Sequence, residues 1–320
     1  MKIGVVGNGM IVGMFLRDAA LVNDAEIISL CVRPHSLEKG QKIAKEYNIP
    51  VVETDYDTFL KNPEMETVYV GISNLVHHEY AKKALEAGKH VILEKPFTVT
   101  SVEARELASV AKSKSLFIWE AFMIPYLPTY QTVKESVSKV GNVKLIQANF
   151  SKTSSRYKQY LNGEILPAFD LTLAGGALYD LNIYNLHFII SLFGKPKAAH
   201  YYPTKGYNGV DTSGIAVLEY ETFNAVCCAA KDSDSPSGFV IQGDAGTLRG
   251  NTSTSTLADI FFVDKNGENH LASYNGKNKL SYELTAFIKQ HKEHDYAACY
   301  EMLRHTIEVT EVVDELLISF

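Results

Sequence analysis

The stretch KIGVVGNGMIVGMFL, residues 2–16, combines a short apolar run, three glycines and an apolar segment with helical spacing. Gly7, Gly9 and Gly13 lie directly after the first predicted strand and at the start of the predicted helix. Glycines in this position allow a tight turn and let the backbone approach a pyrophosphate at the helix N-terminus. The order of strand, glycine turn and helix therefore predicts dinucleotide binding, with a glycine-rich turn that binds no ligand as the alternative.

The glycine spacing departs in one place from the usual dinucleotide-binding pattern. Val12 stands where a glycine or alanine is usual, and Gly13 follows one residue later. This departure affects the expected fit of the cofactor more than it affects the fold. The predicted cofactor contacts in this segment are Gly7, Gly9, Met10 and Ile11.

The end of the second predicted strand indicates which dinucleotide is bound. A chain that prefers NAD normally has an acidic residue about 20 residues beyond the glycines, which binds the ribose 2′-hydroxyl. Here residues 31–36 read CVRPHS, and no acid occurs before Glu38. Because a guanidinium can bind a 2′-phosphate, Arg33 favours NADP over NAD. NAD remains possible, and a solvated surface arginine is the alternative interpretation.

The pattern of predicted elements changes near residue 121. Before it, short apolar runs alternate with amphipathic segments of helical spacing, which predicts a parallel sheet built from crossover units. After it, longer strand patterns follow one another with turn residues between them, which predicts a mostly antiparallel sheet. We therefore expect an α/β chain of two domains.

Composition disfavours several other classes of protein. The chain has 320 residues, a net charge of −6 and a pI near 5.9, so no overall basic field attracts nucleic acid or an anionic membrane. Its four cysteines form no Cys-x-x-Cys pair, which disfavours a metal cluster and a disulfide framework. The sequence shows neither a membrane-span pattern nor a signal-peptide pattern. We expect a cytoplasmic protein without a metal site that acts on a small molecule.

The stretch VILEKPF, residues 91–97, ends a strand of buried character with an acid, a lysine and a proline. Reactive groups in open α/β sheets lie at the carboxyl ends of the strands, where the ligand binds. That position would direct Lys95 toward the nicotinamide half of a bound dinucleotide and allow Glu94 to accept a ribose hydroxyl. An exposed, salt-bridged turn is the alternative.

A second set of polar residues occurs in GGALYDLNIYNLH, residues 175–187. Asp180 and Tyr184 are four positions apart and share one face of the predicted helix. A phenol with the ordinary pKa of about 10 exchanges protons slowly at neutral pH. A nearby ammonium such as Lys95 would lower that pKa, and Asp180 could orient the group. The two glycines before the helix could permit close approach of a ligand. A core-facing tyrosine with a surface aspartate is the alternative.

Together these motifs resemble the Gfo/Idh/MocA oxidoreductases, named for glucose-fructose oxidoreductase and inositol dehydrogenase. The resemblance runs through GNGMIVG (7–13), the block from Ile72 to Phe97, EAFM (120–123), GGALYDLNIY (175–184) and FGKP (193–196). It implies a Rossmann domain with a doubly wound parallel sheet, then an α+β domain with a large open, mostly antiparallel sheet that supports homodimers or homotetramers. We expect these domains at 1–121 and 122–320, with the C-terminal helix packing back on the first.

The resemblance also implies roles for individual residues. Lys95, Asp180 and Tyr184 match the catalytic positions, while the positions beside the cofactor are Ser73, Asn74 and His77. The tyrosine form is most similar to the branch with dihydrodiol and sugar dehydrogenases. The implied reaction is NAD(P)-dependent hydride transfer to or from a secondary alcohol or carbonyl of a sugar, polyol or dihydrodiol. A non-catalytic NAD(P)-sensing regulator of the same fold is the alternative.

Two further departures from the family pattern concern the substrate. Asn182 replaces a glycine that is usual two residues after the aspartate, and the arginine common after EAFM is missing. The predicted substrate contacts are Arg156, Asn182 and His187.

Overall fold

A computed structural model describes residues 1–318, which form two compact units. The first comprises Met1–Phe122 and Asn278–Ile307, and the second comprises Met123–Lys277 and the chain from Glu308 onward. The first unit contains a six-stranded parallel sheet and the second an eight-stranded, mostly antiparallel sheet, which confirms the predicted α/β fold. Residues 278–307 fall in the range predicted for the second domain, whereas the structure groups them with the first sheet.

The first sheet has the strand order β3-β2-β1-β4-β5-β6. Its strands are β1 Lys2–Val6, β2 Glu26–Cys31, β3 Val51–Glu53, β4 Thr67–Val70, β5 His90–Glu94 and β6 Ile118–Ala121. The helices between them are α1 Met10–Ala19, α2 Leu37–Glu46, α3 Tyr56–Leu60, α4 His77–Glu86 and α5 Ser101–Ser113. The order reverses between β1 and β4, which is where open α/β sheets bind their ligands.

The central strands of this sheet are apolar on both faces. The runs TVYV in β4 and HVILE in β5 are almost wholly buried, because the crossover helices cover both sides of a parallel sheet. α5 begins with a capping box, in which the side chains of Thr100 and Glu103 bind each other's backbone N–H groups. The edge strand β3 was not predicted, since its three residues are too few to show a period.

Two helices close the chain, α9 Lys279–Glu293 and α10 Tyr296–Ile318. In α9, Gln290 accepts a hydrogen bond of 2.7 Å from the indole of Trp119. At the start of α10, the thiol of Cys299 donates to the carbonyl oxygen of Ile118 at 3.3 Å. These bonds fix residues 278–307 against β6.

The second sheet has the strand order β14-β13-β12-β11-β7-β10-β9-β8, and only β7 and β10 pair in parallel. Its strands are β7 Val143–Ser151, β8 Ala198–Lys205, β9 Asp211–Glu219, β10 Asn224–Ala230, β11 Gly238–Gly243, β12 Thr247–Gly250, β13 Asp259–Asp264 and β14 Gly267–Ser273. The edge strands β8 and β14 were not predicted. β8 contains Pro203, which an edge tolerates because its outer side needs no donor, and β14 is exposed along most of its length.

The helices of the second unit are α6 Tyr130–Ser136, α7 Tyr157–Leu161 and α8 Ile183–Phe193. A π-helical turn, Leu178–Asn182, directly precedes α8. The sequence predicts one regular helix across both segments, so the wider turn is a correction to that prediction. Within the described part of the chain, no helix combines the length and the apolar character that a membrane span requires.

Candidate active site

The glycine turn after β1 leaves room at the start of α1. Gly7 has a φ of +116°, and a side chain there would clash with the carbonyl oxygen of Gly71. No atom lies within 4 Å of the place where a Cβ of Gly9 would stand, and no side chain caps the helix. The uncapped N-terminus of α1 therefore has room beside Gly9 for a phosphate, which the first backbone N–H groups of a helix can bind. These residues fit the pyrophosphate of a dinucleotide.

The unusual Val12 fits because the loop after β4 has a glycine opposite it. Val12 is fully buried. A Cβ built on Gly71 would lie 2.9 Å from Val12 Cγ2 and 2.8 Å from the ring of Tyr69, closer than such atoms normally approach. The missing side chain at Gly71 thus accommodates Val12, and the departure in glycine spacing leaves the turn intact.

The predicted cofactor contacts lie at the carboxyl ends of neighbouring strands. Arg33 follows β2 and is exposed, while Ser73 and Asn74 follow β4. Met10, which is 74% exposed, and Ile11 form the first turn of α1 after β1. Because β2, β1, β4 and β5 are adjacent, these residues line one edge of the sheet. This edge includes the point where the strand order reverses.

Glu94 is buried at the end of β5. The hydroxyl of Tyr69 donates to its Oε1 at 2.7 Å, and the backbone N–H of Lys95 donates to its Oε2 at 3.2 Å. Burial raises the pKa of Glu94 to about 7, although the hydrogen bond from Tyr69 and the charge of Lys95 oppose this rise. The chain itself therefore holds the carboxyl group, and the bond from Glu94 to a ribose hydroxyl stays a prediction.

His77 is fully buried between the loops that follow β4 and β5. Its Nδ1 lies 2.9 Å from the carbonyl oxygen of Pro96, and its Nε2 lies 3.2 Å from that of Ile72. Burial lowers the pKa of His77, so the neutral ring donates through one nitrogen only. The structure gives His77 a loop-packing role, which corrects the predicted contact with the cofactor.

Lys95 directly follows β5 with a partly exposed side chain, and the Lys95–Pro96 peptide bond is cis. Two bonds anchor the turn on either side of it. Glu94 accepts from the backbone of Lys95, and Oε1 of the buried Glu120 accepts from the backbone N–H of Phe97 at 3.0 Å. The lysine therefore extends from an anchored turn at the carboxyl edge of the sheet.

In the second unit, Asp180 lies within the π-helical turn and Tyr184 lies in the first turn of α8. Both side chains are partly exposed. The ring of Tyr184 lies 5.8 Å from that of Phe150 on β7. π-Helical turns inside helices are frequent at functional sites, which agrees with the importance given to this segment.

Asp180 has a partner that the sequence did not indicate. The side chain of Lys231, directly after β10, is only 1% exposed, and its Nζ lies 2.9 Å from Asp180 Oδ2. The same ammonium donates to the carbonyl oxygens of Ala168 at 2.6 Å and Gly176 at 3.5 Å. It also lies 4.8 Å from the ring centre of Phe169. A buried cation therefore contacts the exposed carboxylate.

The two glycines before the π-helical turn serve packing within the unit. Gly176 has a φ of +116°, and a side chain there would clash with Asp211; a side chain at Gly175 would meet the preceding loop. Asp211 accepts hydrogen bonds from the backbone of Leu178 at 2.7 Å and the hydroxyl of Tyr201 at 2.6 Å. Burial raises the pKa of Asp211 to about 6. Protein atoms therefore occupy the positions where side chains would stand at both glycines, and the close approach of a ligand stays a prediction.

The three predicted substrate contacts have different surroundings. Asn182 is fully buried, donates to the carbonyl oxygen of Cys227 and accepts from Asn185, each at 3.0 Å. His187 is also buried, at 1% exposure. These positions correct the predicted substrate contacts, because both side chains pack inside the second unit. Arg156 is exposed at the start of α7, and its role stays a prediction.

Sequence profiles of one family match most of the chain. The profile "Oxidoreductase family, NAD-binding Rossmann fold" matches residues 1–122, and the profile "GFO/IDH/MocA C-terminal domain" matches residues 130–249. The chain belongs to the Gfo/Idh/MocA family. This confirms the predicted family, the predicted NAD(P)-binding Rossmann domain and the prediction of an oxidoreductase.

Individual members of the Gfo/Idh/MocA family match over different lengths. The scyllo-inositol 2-dehydrogenase (NADP(+)) IolU of Bacillus subtilis (strain 168) is 29% identical over 98% of this chain and 95% of its own. The trans-1,2-dihydrobenzene-1,2-diol dehydrogenase of Sus scrofa is 29% identical over 68% of this chain and 64% of its own. A 3-ketoreductase from Actinomadura kijaniata, solved with NADP and TDP-benzene, superposes with a TM-score of 0.87 at 20% identity, covering 100% of this chain and 97% of that one. That likeness shows the shared fold.

Three residues of this Gfo/Idh/MocA protein escaped the sequence reasoning. They are Gly71, Asp211 and Lys231. Lys231 ends the strand pattern NAVCCAAK, and nothing in that pattern distinguishes a buried lysine from a solvated one. Gly71 falls within the predicted strand pattern TVYVGIS, which does not distinguish it, because its contact with Val12 depends on the pairing of β1 with β4.

Proposed function

We propose that the chain is an NADP-dependent dehydrogenase or reductase that acts on a secondary alcohol or carbonyl of a sugar, polyol or dihydrodiol. The position of Lys95 carries the proposal: it lies at the carboxyl end of β5, on the edge of the sheet that also holds the open glycine turn. Relatives named for scyllo-inositol with NADP(+) and for a dihydrodiol support the cofactor and the substrate class. Arg33, exposed after β2, supports the same choice of NADP.

The residues of this chain would hold the dinucleotide along the carboxyl edge of the first sheet. The turn at Gly7 and Gly9, with Met10 and Ile11, would bind the pyrophosphate. Arg33 would bind the 2′-phosphate, because a guanidinium forms strong charge-assisted bonds with phosphate oxygens. The nicotinamide half would lie near Ser73, Asn74 and Glu94.

Lys95, Asp180 and Tyr184 would carry out the proton transfer. A nicotinamide held there would supply or accept the hydride. Tyr184 takes the proton of the substrate hydroxyl during oxidation and returns it during reduction. Lys95 stabilises the phenolate by its charge, and Asp180 orients the reacting groups.

We also propose a homodimer or homotetramer that forms through the second sheet. Tyr202 on β8 and Ile215 on β9 are cross-strand neighbours, and they are 63% and 43% exposed. Such apolar side chains on an open face suit a partner surface. All four cysteines are free thiols, which agrees with a cytoplasmic location. Sedimentation of the purified protein would measure the number of subunits, and a monomer would contradict the assembly.

The proposed function is tested by fluorescence titration with NADPH and NADH, followed by a turnover screen of aldoses, polyols and dihydrodiols. We expect tighter binding of NADPH and turnover of at least one polyhydroxy compound. Lys95→Met should abolish turnover and keep most NADPH binding, whereas Lys83→Met, which removes an exposed lysine of α4, should change neither.

Near-normal turnover by Lys95→Met would contradict the role of that lysine. Tight NADPH binding without turnover of any compound would favour a non-catalytic NAD(P)-sensing regulator. Absence of binding of either dinucleotide would contradict the assignment of the glycine turn.

A further inference from the structure

The ammonium of Lys231 is held at a fixed place in the second unit. The backbone N–H of Lys231 donates to the carbonyl oxygen of Thr212 at 2.8 Å, and the carbonyl oxygen of Lys231 accepts from the backbone N–H of Ser154 at 2.8 Å. Its side chain is 1% exposed. Lysine is almost never buried in this way unless its charge is paired. The position of Lys231 therefore requires an explanation.

Each of the three donors of the ammonium has an acceptor. Two are the carbonyl oxygens of Ala168 and Gly176, and the third is Oδ2 of Asp180 at 2.9 Å. The nearby carboxylate of Asp211 already accepts from Leu178 and Tyr201. Asp180 is the carboxylate in direct contact with the ammonium, at 2.9 Å, although the charge of Lys231 also opposes the rise that burial causes in the pKa of Asp211.

The side chains of Lys231 and Asp180 differ in their exposure to solvent, as an active site requires of a buried supporting group and a reacting group. The Lys231 side chain is 1% exposed, whereas that of Asp180 is 45% exposed. A carboxylate in a solvated helix turn would otherwise rotate freely among its rotamers. The buried cation fixes one carboxylate oxygen in place, while the side chain as a whole stays partly exposed.

We propose that Lys231 is a positioning residue, which holds the Asp180 carboxylate in one orientation for the proton transfer through Tyr184. The inference rests on the proposed function, because Asp180 must take part in turnover for its orientation to matter. Lys231 itself contacts neither the substrate nor the nicotinamide in this scheme. It acts through Asp180 alone.

A double-mutant cycle distinguishes this role from a structural one. Lys231→Met should lower kcat by about 100-fold, the loss expected when a catalytic group moves by about 1 Å. KM should change less, and NADPH affinity should be unchanged, since the proposed dinucleotide contacts belong to the first unit. Adding Lys231→Met to Asp180→Asn should lower kcat no further, because the lysine has lost the group through which it acts. If Lys231→Met fails to fold, Lys231→Gln takes its place, because the glutamine amide can donate to the carbonyl oxygen of Ala168.

Lys152→Met is the matched control. Lys152 also follows a strand of the second sheet and pairs with an aspartate, Asp234 at 3.8 Å, but its side chain is 76% exposed. We expect no change in kcat.

Equal losses of kcat from Lys231→Met in the wild-type and Asp180→Asn backgrounds would overturn the inference and leave a structural role only. Unchanged kcat in a folded Lys231→Met or Lys231→Gln variant would overturn it as well. Absence of turnover by the wild type across the substrate panel would instead overturn the proposed function, and with it any catalytic purpose of the pair.

Discussion

The Nδ1 atom of His77 lies 2.9 Å from the carbonyl oxygen of Pro96, the residue directly after Lys95. Its other ring nitrogen faces the carbonyl oxygen of Ile72, at the end of the neighbouring strand. One buried imidazole thus connects the loops that follow β4 and β5. The side chains proposed to bind the nicotinamide half lie in the first of these loops and at the end of β5, directly before the second.

His77→Leu should therefore disturb both stability and cofactor binding. Because the neutral ring donates a single hydrogen bond, the substitution leaves one of the two buried carbonyl groups without its donor, which costs about 1–3 kcal/mol of unfolding free energy. NADPH affinity should fall because the two loops lose their connection. Chemical denaturation and fluorescence titration measure the two effects. His78→Leu is the control, since His78 pairs with Glu106 near the surface and should contribute under about 1 kcal/mol. Wild-type behaviour of His77→Leu in both assays would refute the loop-packing role.

The raised pKa of Glu94 predicts a dependence of stability on pH. Burial raises this pKa from 4.5 to about 7 in the folded chain, so between these values the folded state binds more protons than the unfolded state. The stabilising contribution of Glu94 is then complete below pH 4.5 and is lost as the pH rises to about 7. The loss is about 3 kcal/mol, since one pKa unit corresponds to about 1.4 kcal/mol.

Glu94→Gln removes this titration. The unfolding free energy of the variant, relative to that of the wild type, should rise between pH 4.5 and 7 and then become level. Urea denaturation at several pH values measures the difference. Glu86→Gln, at an exposed position of α4, should run parallel to the wild type. A constant difference between Glu94→Gln and the wild type would show that Glu94 titrates normally.

The contact between Val12 and Gly71 predicts non-additive substitutions. Gly71→Ala places a methyl group against Val12 and Tyr69, and overpacking of this kind costs about 1–3 kcal/mol. Val12→Ala removes one of the two obstructing groups, so the double variant should recover part of that loss. Thermal unfolding of the two single variants and the double variant measures the coupling. Strict additivity would mean that Gly71 does not accommodate Val12.

Arg33→Ala should weaken the binding of NADPH but not the binding of NADH. Loss of a charge-assisted bond to the 2′-phosphate should raise the Kd for NADPH by about 10–100-fold. The Kd for NADH should stay constant, because NADH has no 2′-phosphate. Lys42→Ala, at another exposed cationic position on α2, controls for a general loss of positive charge. If NADPH and NADH weaken equally, Arg33 does not recognise the phosphate.

The sequence predicted the central parts of the fold well because their signals are local. The glycine turn, the buried strands β4 and β5 and the change to antiparallel strands all show in short stretches of sequence. The missed strands are β3, β8 and β14, which lie at the edges of the two sheets. Edge strands are short, polar or interrupted by proline, so they lack the alternation or the continuous apolar run that identifies a strand.

The candidate site was predictable only for residues within motifs. The sequence indicated Lys95, Asp180 and Tyr184 through their spacing and their neighbours. It did not indicate Lys231, because the pair with Asp180 joins positions 51 residues apart and depends on the tertiary fold. The burial of Asn182 and His187 was missed for the same reason. Asn182 lies in the π-helical turn and His187 lies on α8, and the tertiary packing of this segment decides which of its faces is buried.

The π-helical turn at Leu178–Asn182 makes the length of this segment as important as its composition. A π turn accommodates one residue more than an α turn would. Deleting one residue between Asp180 and α8 would restore a regular helix, but it would also bring Asp180 one position closer to α8 and change the direction of its side chain relative to that helix. Asp180 would then leave Lys231 although every other residue was retained. In an alignment, a one-residue gap within this turn would pair Asp180 with the wrong position in its relatives.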